Sequence, residues 1–134
     1  MTSHDKKTIL LADDDVDYLL QTRVRLERAG YAVIAVEGQA AAEKALAQTR
    51  PDLAVVDLMM ENMDAGFALC HHIKKKDASI PVILVTGVAA ETGLEFDSST
   101  REERSWVKAD AMLAKPVRFE QLQAQIEHLL KDKG

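Results

Sequence analysis

Ile9-Leu10-Leu11-Ala12-Asp13-Asp14-Asp15 is an apolar run that stops on three consecutive carboxylates. Such a short aliphatic run has no polar alternation, which is the pattern of a parallel strand covered on both faces. Helical spacing follows at once. Val16, Leu19, Leu20 and Val24 recur at that period, and Gly30 stands where a left-handed cap would end the helix. The alternation then repeats along the chain. Strands are expected at Thr8–Ala12, Ala32–Val36, Leu53–Val56, Val82–Val85 and Ala111–Ala114. Helices are expected over Ala40–Gln48, through Phe67, Leu69, Cys70 and Ile73 with Asp64 as cap, and through Phe119, Leu122, Ile126 and Leu129. Five βα units of this kind predict an α/β fold with a doubly wound parallel sheet.

A chain of 134 residues fits one domain, expected here to span 1–134 with an ordered core of about 7–130 and a polar tail at 131–134. The connection between Thr86 and Lys115 is longer than a crossover helix requires, and its polar part, Glu91 to Arg104, predicts an insert over about 91–105. A formal net charge of −5 argues against a nucleic-acid surface, which needs clustered cations to displace counterions. Lys74, Lys75 and Lys76 read as the solvated end of a helix, where cations suit the macrodipole. One cysteine excludes an internal disulfide, and no stretch approaches the roughly 20 apolar residues of a membrane span. A cytoplasmic setting is the expectation.

The chemistry concentrates at strand ends. Asp13, Asp14 and Asp15 follow the first strand, Asp57 ends the third, Thr86 the fourth and Lys115 the fifth. In a parallel α/β sheet all of these lie on the carboxyl edge, where ligands bind. Carboxylates crowded together raise one another's pKa unless a cation sits among them, and Mg²⁺ is suited to one or two carboxylates plus phosphate oxygens. Lys115 adds a point charge and Thr86 a hydroxyl donor, both fitted to phosphoryl oxygens. Asp57 can then act as nucleophile and form an aspartyl phosphate.

With these residues in view, the sequence resembles the receiver domains of two-component response regulators. The resemblance runs from Ile9-Leu10-Leu11-Ala12-Asp13-Asp14-Asp15 through Pro51-Asp52-Leu53-Ala54-Val55-Val56-Asp57 to Lys115-Pro116 and covers nearly the whole chain. It implies a flavodoxin-like (βα)5 sheet of strand order 2-1-3-4-5. Its implied site has Asp57 as phospho-acceptor and Mg²⁺, with Mn²⁺ as a substitute, held by Asp13, Asp14, Asp57 and the Met59 main-chain carbonyl. Thr86 would be the switch hydroxyl, Lys115 the phosphate-contacting lysine, and Pro116 a residue preceded by a cis bond. The implied partners are a sensor histidine kinase or phosphotransfer protein as donor and a downstream protein on the face of the fourth helix, fifth strand and fifth helix. Homodimerisation on phosphorylation is a further expectation. Neither nucleic acid nor membrane is expected as a partner.

Two departures stand out. After the acceptor the family usually runs Met-Pro-Gly-Met-Asp-Gly, whereas Met60-Glu61-Asn62-Met63-Asp64-Ala65-Gly66 lacks the proline and the first glycine. Three positions before Lys115, where the family places an aromatic, this chain has Met112. The positions that flank the approach of water in that family are Met59 and Val88, both apolar, so slow self-hydrolysis is expected. Asp15 and Asp17 need be no more than helix caps, Cys70 is expected in the core, and adjacent His71 and His72 cannot converge on one ion. The competing readings are a degenerate receiver that binds without being phosphorylated, and a phosphatase of the haloacid dehalogenase type. The latter needs a second aspartate two positions after the nucleophile, where Met59 stands.

Overall fold

The computed structural model describes residues 6–58, 65–86, 110–115 and 117–133, with Asp132 and Lys133 through their backbone alone. Five parallel strands form one sheet in the order β2-β1-β3-β4-β5, with β1 at Thr8–Ala12, β2 at Ala32–Val36, β3 at Leu53–Asp57, β4 at Val82–Thr86 and β5 at Ala111–Ala114. The helices are α1, Val16–Arg28, α2, Gln39–Gln48, α3, Ala65–Lys76, and α4, Phe119–Lys133. The fold is therefore the flavodoxin-like one, a sheet with helices on both faces.

Alternation along the central strands divides the core in two. Leu10, Ala12, Ala54, Val56, Val82 and Leu84 pack with Leu46 of α2 and with Leu69, Cys70 and Ile73 of α3. Ile9, Leu11, Val55, Ile83 and Val85 pack on the other side with Leu19 and Leu26 of α1 and Leu122 and Ile126 of α4. Strands β1, β3 and β4 are thus apolar on both faces, as parallel strands covered by helices must be.

Local chemistry sets the ends of α1. The Asp15 carboxylate accepts from the Asp17 and Tyr18 amides at the first turn. At the other end Gly30 takes φ +105°, its N–H donating to Glu27 O and that of Tyr31 to Leu26 O at 3.0 and 3.1 Å. This is a Schellman closure, and it uses a backbone region that glycine enters without a Cβ clash.

Several expectations are sharpened. Strands β3 and β4 run one residue further than the apolar pattern, because Asp57 and Thr86 still pair in register with Val85 and Ala114. The apolar residues of α1 divide between faces: Leu19 and Leu26 are core, while Val16, Leu20 and Val24 are exposed. Helix α4 continues to Lys133, into the stretch expected as a polar tail. Lys74 is not a solvated helix end. Its ammonium donates to Ala78 O, Ile80 O and the Asp110 carboxylate, tying α3 to the start of β4 and β5. The insert at 91–105, Asp64, Met59, Val88 and Pro116 lie outside the described residues.

No helix among the described residues is long and apolar enough to cross a membrane. Cys70 is fully buried, and burial pushes its thiol up to about 11. Three units above pH 8 this leaves only about one thiol in a thousand ionised. Cys70 should therefore resist a chromogenic disulfide reagent at pH 8 in the folded protein and react promptly once urea unfolds it.

Candidate functional site

Main-chain hydrogen bonds carry the ladders just beyond the strands and place the functional residues. Asp13 N–H donates to Val36 O at 3.2 Å, Leu58 N–H to Val85 O at 2.8 Å, and Lys115 N–H to Thr86 O at 2.7 Å. Asp13, Asp57, Thr86 and Lys115 are thereby held on the carboxyl edge of neighbouring strands. The loop after β1 is a nested turn in which Asp13 Oδ1 accepts from Asp15 N–H at 2.9 Å, and Asp15 Oδ1 in turn caps α1. Short acidic side chains that satisfy nearby amides are what such a turn needs.

The side chains converge. Asp13, Asp14 and Asp57 each offer a carboxylate oxygen, and these lie within 4.8 Å of one another. Asp13 and Asp57 are buried at 1% and 4% exposure, whereas Asp14 is exposed. The Lys115 ammonium stands 3.5 Å from Asp57 Oδ1 and 3.8 Å from Asp13 Oδ2. Thr86 is buried at the same edge. Five of the residues singled out in the sequence are therefore brought together.

The electrostatics follow from this crowding. Burial pushes the Asp13 carboxyl up, with Asp14 adding to the rise, while the Asp15 amide and the Lys115 ammonium draw it back. Burial would lower Lys115, but Asp13 and Asp57 hold it above its ordinary value, so it remains a cation. Buried carboxylates at such spacing present a strongly negative pocket of oxygen donors. That donor set fits a hard divalent cation.

Other expectations are settled around the site. Met112 is partly buried and packs against the core on the α2 and α3 face, opposite Leu84 of β4. His71 and His72 are exposed on α3 and take no part. Asp15 is the cap of α1.

Two residues here escaped the sequence reading. Gly66 donates its N–H to Leu58 O at 2.8 Å, and a Cβ at this position would lie 2.6 Å from Asp57 O and closer still to Leu58 Cα. The first turn of α3 thus presses on the backbone of Asp57 and Leu58, an approach open only to glycine. Its signals in the sequence are a glycine inside a predicted helix and its place at the end of the run Met60 to Gly66. The second is Tyr18, whose ring centroid lies 5.7 Å from Lys115 Nζ. Its hydroxyl is enclosed without a well-formed hydrogen bond among the described residues, and burial raises its pKa, so it stays a neutral phenol.

Fold and site together define a signalling receiver, and comparison with known proteins agrees. The model of the response regulator receiver domain matches residues 9–127, and the chain belongs to that family. It is 33% identical over 135 residues to the transcriptional regulatory protein GltR of Pseudomonas aeruginosa, covering 96% of this chain and 51% of that protein. It is 30% identical over 126 residues to the alkaline phosphatase synthesis transcriptional regulatory protein PhoP of Bacillus subtilis, covering 93% and 49%. The chain thus spans about half the length of these relatives. Among solved structures it is similar to a CheY-like response regulator receiver domain protein from Methanospirillum hungatei JF-1, with TM-score 0.79, 26% identity and 96% of each chain covered. A receiver protein from Sinorhizobium medicae gives the same TM-score at 25% identity, with 98% and 99% covered.

Gly66→Ala tests the close approach. It should destabilise the protein by about 2 kcal/mol in urea titrations, as expected of overpacking against backbone that cannot give way.

Proposed function

We propose that this receiver takes a phosphoryl group on Asp57 from a phosphohistidine of a sensor kinase or phosphotransfer protein and signals through the resulting change of charge. The observation that carries the reading is the buried Asp57 carboxylate, with the Lys115 ammonium at 3.5 Å and the Asp13 and Asp14 carboxylates beside it. An Asp57 oxygen attacks phosphorus, the P–N bond to the donor imidazole breaks with its electron pair, and the imidazole regains a proton from solvent. Lys115 offsets charge on the phosphoryl oxygens as the bond shifts, and the Thr86 hydroxyl donates to one of them. Asp13, Asp14 and Asp57, with the Met59 carbonyl as the family pattern implies, would hold Mg²⁺ or Mn²⁺. When bound, such an ion neutralises charge on the transferring group.

The adduct turns a buried carboxylate into a larger, more negative group, and Thr86 and Lys115 must re-form their contacts around it. A downstream protein on the face of β5, α4 and the preceding crossover would read that change, with homodimerisation a second outlet. The chain acts here as one domain over 1–134 in a cytoplasmic setting. Its chemistry goes no further than its own phosphorylation and slow self-hydrolysis. A receiver that binds its partner without phosphorylation is the competing reading.

Incubation with acetyl phosphate and Mg²⁺ should add one phosphoryl group, stable in acid and labile in base. Asp57→Asn should abolish it and chelation of the metal should prevent it. Lys115→Ala should slow uptake by about a hundredfold, the typical loss of one preorganised charge-stabilising donor. Persistence of label in Asp57→Asn would move the acceptor elsewhere. Steady release of phosphate would indicate a phosphatase, and no uptake a degenerate receiver. Isolated phosphoprotein should keep its label for minutes or longer in Mg²⁺, and loss within seconds would refute slow self-hydrolysis.

A further inference from the structure

Lys115 is held loosely by its carboxylates. Its distances of 3.5 Å to Asp57 and 3.8 Å to Asp13 are too long for tight charge-assisted hydrogen bonds, and its side chain is 35% exposed on a flexible stem. A third contact restricts it, because the Tyr18 ring lies with its centroid 5.7 Å from Nζ, within reach of a cation–π attraction. The backbone of Tyr18 is itself tied to the acidic loop. Tyr18 N–H donates to Asp15 Oδ1, and Asp15 N–H donates to Asp13 Oδ1, so the turn that presents the acidic pair also places the backbone from which the ring projects. Tyr18 also lines a cavity of about 290 Å³ between α1 and the start of α4.

We propose that Tyr18 is a positioning residue for phosphoryl uptake, its ring holding the Lys115 ammonium toward the oxygens of the incoming group. This rests on the reading of Asp57 as acceptor. The contact with Lys115 is made by the aromatic face, whereas the hydroxyl makes no well-formed hydrogen bond among the described residues.

The test is the initial rate of Asp57 phosphorylation by acetyl phosphate in saturating Mg²⁺, followed by intact mass. In this reaction an Asp57 oxygen bonds to phosphorus and acetate leaves with the electron pair of the broken P–O bond. Tyr18→Leu should slow uptake about fivefold, the loss expected of one partly exposed cation–π contact, while Tyr18→Phe should stay within about twofold of the unsubstituted protein. In a Lys115→Ala background Tyr18→Leu should add no further loss, a non-additivity that a merely structural role would not produce. Tyr18→Met replaces Tyr18→Leu if the latter does not fold. Three results would overturn the proposal: equal rates for Tyr18→Leu and the unsubstituted protein, a loss in Tyr18→Phe as deep as in Tyr18→Leu, or an undiminished fivefold loss without Lys115. Absence of label on the unsubstituted protein would instead sink the assignment of Asp57, and this proposal with it.

Discussion

Two carboxylates, Asp13 and Asp57, are buried within 4.8 Å of each other and of the exposed Asp14, at the end of a sheet whose interior is aliphatic. Water is largely excluded there, so repulsion between them is weakly screened. Most of the structure near that edge can be understood as holding this arrangement in place. The backbone is clamped to a neighbouring strand at Asp13, just after Asp57, and at Lys115, through Val36, Val85 and Thr86, and the Asp15 amide takes up one Asp13 oxygen. Lys115 supplies compensating charge from 3.5 Å and 3.8 Å, one cation against three carboxylates.

The opposite edge of the sheet is built on the reverse principle. There the acidic groups are matched: Asp52 accepts from Thr8 N–H, Asp110 accepts from Val82 N–H and from Lys74, and Arg50 bonds Asp77 and Ser79. Ser79 and Arg50 hold Asp77 well below the usual carboxylate range. The pairing of Lys74 with Asp110 and two carbonyls is the least exposed of these and joins α3 to two strands, whereas the Arg50 contacts lie further out in solvent, where screening weakens them. Among the described residues, the acidic groups named at this edge are paired, whereas Asp13, Asp14 and Asp57 crowd together at the other. The parallel topology permits this separation, since every strand begins at the first edge and ends at the second.

The fold was legible because its determinants are local. Strands covered on both faces must be continuously apolar, and Leu53–Val56 and Val82–Val85 read that way whatever surrounds them. The polar residues that end β3 and β4 still belong to the ladder, and only pairing with β4 and β5 reveals it. Gly30 signalled its own role, because a helix that ends there needs a left-handed residue. The α1 stripe misled by one face: Leu20 and Val24 share the helical period of Leu19, but period alone does not say which side the sheet covers.

The order of residue types along this chain is enough to determine a doubly wound α/β domain and to mark Asp13, Asp14, Asp57, Thr86 and Lys115 as strand-end groups, because strand ends in a parallel sheet share an edge by topology. What only the tertiary structure decided depends on distance between segments far apart in sequence. That Lys74 is a half-buried strut, that Gly66 presses on the backbone of Asp57 and Leu58, and that the Tyr18 ring reaches Lys115 are facts of packing between α3, β3, α1 and β5. No periodicity encodes them, since each arises where two elements meet and depends on angles and separations that neither element specifies alone.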